Sequence, residues 1–146
     1  MPLYTKRGWF TVELPDGWEA EEDEGVVVLH HPDRSGALHV SAQTLENRKP
    51  GDRIDVFLAL RGYLRGIGVK MRDRDADRFT TDEHEFACHE QVTQEQGEGP
   101  TLWRTWFVTN QDVLAMLTYN CPEKDRDVER HETDRVVRSL RLTTVR

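Results

Sequence analysis

Six histidines and two cysteines carry whatever metal or thiol chemistry this 146-residue chain could perform. They are densest in DEHEFACHE, which holds His84, Cys88 and His89. Zinc needs ligands converging at about 2.0–2.3 Å. On a strand, His84 and Cys88 share a face but lie about 13 Å apart, at ~3.3 Å per residue, and His89 faces the other way. His30 and His31 are adjacent and point to opposite sides of a strand. The spacing therefore predicts no metal site and no cofactor.

Nucleophiles come next. Ser35 sits in HPDRSG beside His31 and Asp33. A triad needs an oriented base and an oxyanion hole, and no G-x-S-x-G elbow surrounds this serine. Cys121 precedes Pro122 and a predicted helix. A helix N-terminus lowers a thiol pKa, so Cys121 is where a reactive thiol would sit. Its plainer reading is a small side chain closing a strand. Asp and Glu total 27, and that abundance makes any one carboxylate pair uninformative. Gly97-Glu98-Gly99-Pro100 reads as a hairpin turn, not a phosphate cradle. No catalytic residue is assigned, and the chain is expected to be non-enzymatic.

The aromatic residues remain. Trp9, Trp18, Trp103 and Trp106 could line a groove, because Trp and Tyr are enriched at interfaces. Three of the four lie in or beside predicted strands, which favours the core. Trp9, Trp18 and Tyr63 are the candidate interaction surface.

The length is that of one domain, residues 1–146. No apolar run approaches the ~20 residues that span a bilayer. MPLYTKRGW has no apolar stretch behind its basic residues, so a cytoplasmic protein is expected. The net charge of −7 argues against binding nucleic acid or anionic membranes. Arg61, Arg65, Lys70, Arg72, Arg74 and Arg78 cluster, but Asp73, Asp75 and Asp77 interleave with them. That pattern is a solvated, salt-bridged connection.

Elements that must position these residues follow from periodicity. Phe10, Val12 and Leu14 alternate as a strand that Pro15-Asp16-Gly17 stops. Glu19 to Glu24 forms a polar hairpin arm before the Val26–Leu29 strand. Leu38, Val40 and Ala42 alternate again, so the first 45 residues read as one β-meander. After a loop over 47–51, Asp52 caps a helix over 53–67, with Val56, Phe57, Leu60, Tyr63, Leu64 and Ile67 on one face. Strand signals resume over 79–96. Pro122 opens a final helical segment to about Leu140, anchored by Val128, Val136, Val137 and Leu140.

The hairpin over 101–120 is the most informative piece. With Asn110-Gln111 as its turn, Val108 faces Val113. One face carries Leu102, Trp106, Val108, Val113, Ala115, Leu117 and Tyr119. The other carries Trp103, Phe107, Leu114 and Met116. Both faces are apolar, which places the hairpin mid-sheet under two helical covers. The expected class is α/β (α+β), an α-β-α sandwich around a mainly antiparallel sheet. In that register Cys88 and Cys121 lie roughly 30–40 Å apart, and both are expected free.

The F-x-V-x-LP-x-GW opening, the meander, the amphipathic helix, the Trp-rich hairpin, Tyr119-Asn120-Cys121 and the closing Val136-Val137-Arg138-Ser139-Leu140 together resemble the PsbP-like superfamily. That group includes the photosystem oxygen-evolving subunit, Ran-release factors of the Mog family and DcrB-like lipoproteins. The resemblance spans about residues 8–142 and implies the same α-β-α sandwich. It also implies a binding or assembly role, since members are mostly non-enzymatic. A protein partner is therefore expected, with homodimer formation open. A small-molecule or peptide pocket between the sheet and helix 53–67 is the alternative. A hydrolase using Cys121 or a Ser-His pair is the third.

Overall fold

The computed structural model describes residues 2–45, 49, 51–81, 83–95 and 97–144. Asn47 and Pro50 of the expected loop, and Gln96 at the expected strand end, lie outside them. Ten strands and two α-helices are found among the described residues. The strands are β1 Leu3–Lys6, β2 Phe10–Glu13, β3 Glu19–Asp23, β4 Val26–His30, β5 Ala37–Thr44, β6 Ala76–Thr80, β7 Glu85–Glu95, β8 Gly99–Thr109, β9 Val113–Pro122 and β10 Arg141–Leu142. The helices are α1 Val56–Gly66 and α2 Arg130–Ser139. No described helix is long and apolar enough to cross a membrane.

The long hairpin forms mid-sheet, as its two apolar faces require. Seven antiparallel strands run in the order β3-β4-β5-β9-β8-β7-β6. Its register differs from the expected one: Val108 pairs with Ala115 and Thr109 with Leu114. The shift is two residues, so every side chain keeps its face. The longer loop follows from side-chain caps. Asn110 Oδ1 accepts from the amides of Asp112 and Val113, and Thr109 Oγ1 accepts from Gln111 N.

The first 45 residues are not a single meander. β2 leaves the main sheet and pairs with β1 on one side and β10 on the other. β1, LYTK, carries no apolar period, and β10 is two residues long, so neither announces itself in the sequence. β3 is the acidic arm EAEED, paired along its length with β4.

Both helices are shorter than expected. Asp55, not Asp52, caps α1, its Oδ1 accepting from Phe57 N and Leu58 N at 2.9 and 3.2 Å. Asp52 instead accepts from Lys49 N. Val56, Phe57, Leu60 and Leu64 are buried, while Ile67 lies past the helix end and is 53% exposed. The final segment starts as a 3-10 turn, Glu123–Asp125, and becomes helical only at Arg130. Val128 falls in the gap and is exposed, so it anchors nothing.

These pieces stack as an α-β-α sandwich with one addition. α1 packs on β7 and β8 through Phe57, Leu60 and Leu64 against Ala87 and Phe107. The opposite face is covered by α2 together with the β1-β2-β10 sheet, around Phe10, Val40, Trp106, Leu117 and Val136. Both cysteines are free. Cys88 pairs with Trp106 and Cys121 with Leu102. Four residues of β8 separate those partners, about 13 Å along the strands, well short of the expected separation but still too far for a bridge.

Candidate functional site

Trp9, Trp18 and Tyr63 do not form one surface. Trp18 is 6% exposed in the core beneath α2, and its Nε1 donates to Glu132 Oε2 at 3.0 Å. The preceding turn explains its position. Gly17 has φ +82°, and a Cβ there would meet the His31 ring, so the chain reverses tightly and drives Trp18 inward. Trp9 is half-buried on the same core, with Lys6 Nζ 5.6 Å from its ring. Tyr63 lies on the other face of the sheet, its ring centroid 5.9 Å from that of Phe107.

The candidate nucleophiles are built into the scaffold. Cys121 is buried at the end of β9, followed by a three-residue 3-10 turn and not by an α-helix, and burial pushes its thiol pKa up. An activated thiol needs the opposite shift. Ser35 Oγ donates to Asp125 Oδ2 at 2.9 Å, while His31 Nδ1 accepts from Asp33 N.

His84, Cys88 and His89 do not converge. His84 is buried, and its Nε2 accepts from Leu142 N at 3.0 Å, tying β10 to the main sheet. Burial, then Arg141, holds its pKa below the usual value against Glu83. His89 is also buried and shifted the same way, first by burial. Among the described residues, one group of three donors comes within 4.8 Å: Glu19, Glu21 and His30. Its carboxylates are exposed, and the β3–β4 hairpin expected from the acidic arm assembles it.

The tyrosine leads to the site that the fold leaves open. α1 packs on β7 and β8, and no described helix covers the same face of β5, β4 and β3. Two hollows of about 330 Å³ each lie on this face, one beside the C-terminal end of α1 and one over β5, β8 and β9. One is lined by Tyr63, Ile67, Val69, Trp103, Thr105 and Thr118. The other is lined by Ser41, Gln43, Phe107, Leu114 and Met116. They share consecutive rungs of one ladder: Trp103–Asn120, Thr105–Thr118, Phe107–Met116 and Thr109–Leu114. Together they make a grooved surface that spans about 20 Å of that ladder, at ~3.3 Å per residue.

Half-buried Val26 and Val28 extend this floor across β4. The far rim is β3, whose Glu19, Glu21 and Asp23 stand in the same cross-strand rows and are exposed. Between β9 and β4, β5 contributes His39, Ser41 and Gln43, so the floor mixes apolar and polar residues and is negative along its outer edge.

Two buried charged residues escaped the sequence reading. Arg104 occupies an inward position of β8 between Leu102 and Trp106, and that break in alternation was its available signal. Glu129 lies in the irregular lead-in to α2 and gives none.

No family model and no curated protein sequence matches this chain. Solved structures do. A Bacteroides thetaiotaomicron protein aligns with TM-score 0.66 and 19% identity over 97% of this chain, which spans about half of that protein (48%). CyanoP, the cyanobacterial PsbP of Synechocystis sp. PCC 6803, aligns with TM-score 0.64 and 16% identity over 97% of this chain and 92% of its own. LpqN of Mycobacterium tuberculosis, a protein involved in cell envelope biogenesis, aligns with TM-score 0.62 and 13% identity, covering 95% and 87%. A Mog1 point mutant aligns with TM-score 0.56 and 10% identity, covering 97% and 96%. The chain has the PsbP/Mog1-like fold, in agreement with the resemblance carried by its turn and core residues.

Proposed function

We propose that this chain of PsbP-like fold acts by binding rather than by chemistry, and that the groove beside α1 receives a basic, amphipathic segment of a protein partner. The observation that carries the reading is the uncovered half of the sheet. A sheet face with Leu114, Met116, Val26 and Val28 half-buried is normally packed over by another layer. Here the layer stops at α1, and Ile67 projects at the groove's side. About 20 Å accommodates roughly 13 helical or six extended residues. The acidic edge of β3 favours a positively charged occupant, and the net charge of −7 would steer it there.

The test is selection of peptides from a random display library against the wild-type chain. Selected peptides should pair apolar residues at helical or alternating spacing with Lys or Arg. Ile67→Asp, at an exposed position, should weaken them about tenfold. Glu21→Lys should weaken them and flatten their salt dependence. Peptides that bind Ile67→Asp as tightly as wild type, or that are acidic, would overturn the assignment.

A further inference from the structure

A separate cavity of about 460 Å³ lies on the opposite face of the sheet, between β6–β8 and α2. Its floor is the rung Asp77–Cys88–Trp106, and Arg104 enters from the next rung of β8. Its other wall is one stripe of α2, in which Asp134, Val137 and Arg138 recur at helical spacing.

Arg104 is the residue that asks for a ligand. Its side chain is 9% exposed, and its guanidinium stacks 4.6 Å from the Trp106 ring. Nη2 donates to Asp134 Oδ1 at 2.6 Å. Nε lies 3.5 Å from Glu90 Oε1 without hydrogen-bond geometry, and Nη1 has no hydrogen-bond partner. Glu90 is already engaged: Oε1 accepts from Arg130 at 2.6 Å and Oε2 from Arg126 at 3.2 Å. A buried charged donor without an acceptor is costly, and a bound acceptor would remove that cost. Arg138 adds a second positive charge. It is exposed, lies 4.4 Å from the Phe79 ring, and pairs with no carboxylate among the described residues.

We propose that this cavity binds a small carboxylate monoanion, one oxygen accepting from Arg104 Nη1 in the field of Arg138. Charge selects the class. Arg130 also lines the cavity but is held by Glu90 and Asp127, and Arg78 stacks its guanidinium on Phe57 of α1, so Arg104 and Arg138 face Asp134 and Asp77. Those four charges offset one another, so what is left to answer is the single orphaned Nη1 donor, which one carboxylate oxygen satisfies, whereas a phosphate dianion sets two charges against two carboxylates. Phe79, Trp106 and Val137 offer apolar surface to the ligand's carbon chain. Cys88 contributes neither charge nor covalent chemistry, because burial pushes its pKa up to about 12.

The experiment is a titration of the ¹⁵N-labelled chain with sodium butyrate at ionic strength held constant with chloride, read at the amides of Cys88, Arg104 and Trp106. Saturable shifts confined to this face are expected. Arg138→Gln, an exposed change, should weaken binding about fivefold, and Arg104→Met should abolish saturation. If Arg104→Met fails to fold, Arg138→Gln alone decides. Linear shifts, affinity undiminished in Arg138→Gln, or saturation by phosphate at lower concentration than butyrate would each overturn the proposal.

Discussion

Replacing Tyr119 by Phe should destabilise the chain by about 2 kcal/mol, although it removes one oxygen and no carbon. The ring sits in the core at 2% exposure, so its packing is unchanged by the substitution. What is lost is the hydrogen bond from the hydroxyl to Glu129 Oε1 at 2.8 Å. Glu129 is 2% exposed; its Oε2 has no hydrogen-bond partner, and Arg34 Nη1 stands 3.7 Å away. The variant therefore leaves both carboxylate oxygens without a hydrogen bond. Bonds to charged groups contribute about 1.5–3 kcal/mol, and desolvation is then uncompensated. Burial, then the bond to Glu129, drives the phenol pKa upward, as a committed donor requires. Urea unfolding followed by tryptophan fluorescence would read the loss. With a slope of about 2 kcal/mol/M for a domain of this size, the midpoint should fall by about 1 M. On a Glu129→Met background, of similar volume, the same Tyr119→Phe change should cost nothing or stabilise, because the hydroxyl is then the orphan. A cost below ~0.5 kcal/mol in both backgrounds would refute the reasoning, since that is the size of an ordinary surface change.

Protonation gives a second expectation. His84 and His89 have folded pKa values below the unfolded value of 6.5. The unfolded chain therefore takes the protons first, so stability is held above about pH 6.5 and falls as pH drops below it. His84→Gln should flatten this dependence in urea midpoints measured across that window, and an unchanged slope would count against it. Gly36→Ala should cost about 1–3 kcal/mol, because a Cβ there would collide with the Tyr119 hydroxyl and the Glu129 carboxylate. Gly62→Ala, in α1 with nothing within 4 Å, should instead gain up to about 1 kcal/mol. Thermal melts that rank the two glycines the other way would contradict the packing described. Cys88 and Cys121 should both resist a thiol reagent at neutral pH and react only in denaturant, since burial raises both pKa values. Rapid native labelling of Cys121 would reopen its reading as a reactive thiol.

Periodicity was legible wherever a segment repeats it long enough. β9 alternates buried and half-buried residues from end to end, so its face assignment survived even a two-residue error in register. The register itself was not legible, because it depends on Asn110 and Thr109 capping the loop, and a side-chain cap leaves no periodic trace. The short β1 and β10 were invisible for a related reason. They are strands only because β2 lies between them, and pairing of that kind is a property of the assembled fold. Trp18 was expected on the candidate surface, yet the Pro15-Asp16-Gly17 turn before it drives it into the core, where Glu132 on α2 supplies the acceptor its indole needs.

The candidate sites fall where strand alternation and layer coverage disagree. On the α1 face, β9 and β4 carry apolar residues as if both sides were covered, yet the helix ends over β8, and a grooved surface with β5's His39, Ser41 and Gln43 between them results. On the α2 face, alternation calls for an apolar residue between Leu102 and Trp106 and supplies Arg104 instead. Asp134 from α2 meets only part of its donor capacity, and the same arginine lines the cavity beside α2. The two faces thus make independent demands, one for an apolar layer and one for an acceptor. Ile67→Asp should disturb peptide binding and spare butyrate, while Arg138→Gln should do the reverse. If either substitution disturbed both, the faces would be coupled through β8, the strand that lends Trp103 and Phe107 to one site and Arg104 and Trp106 to the other.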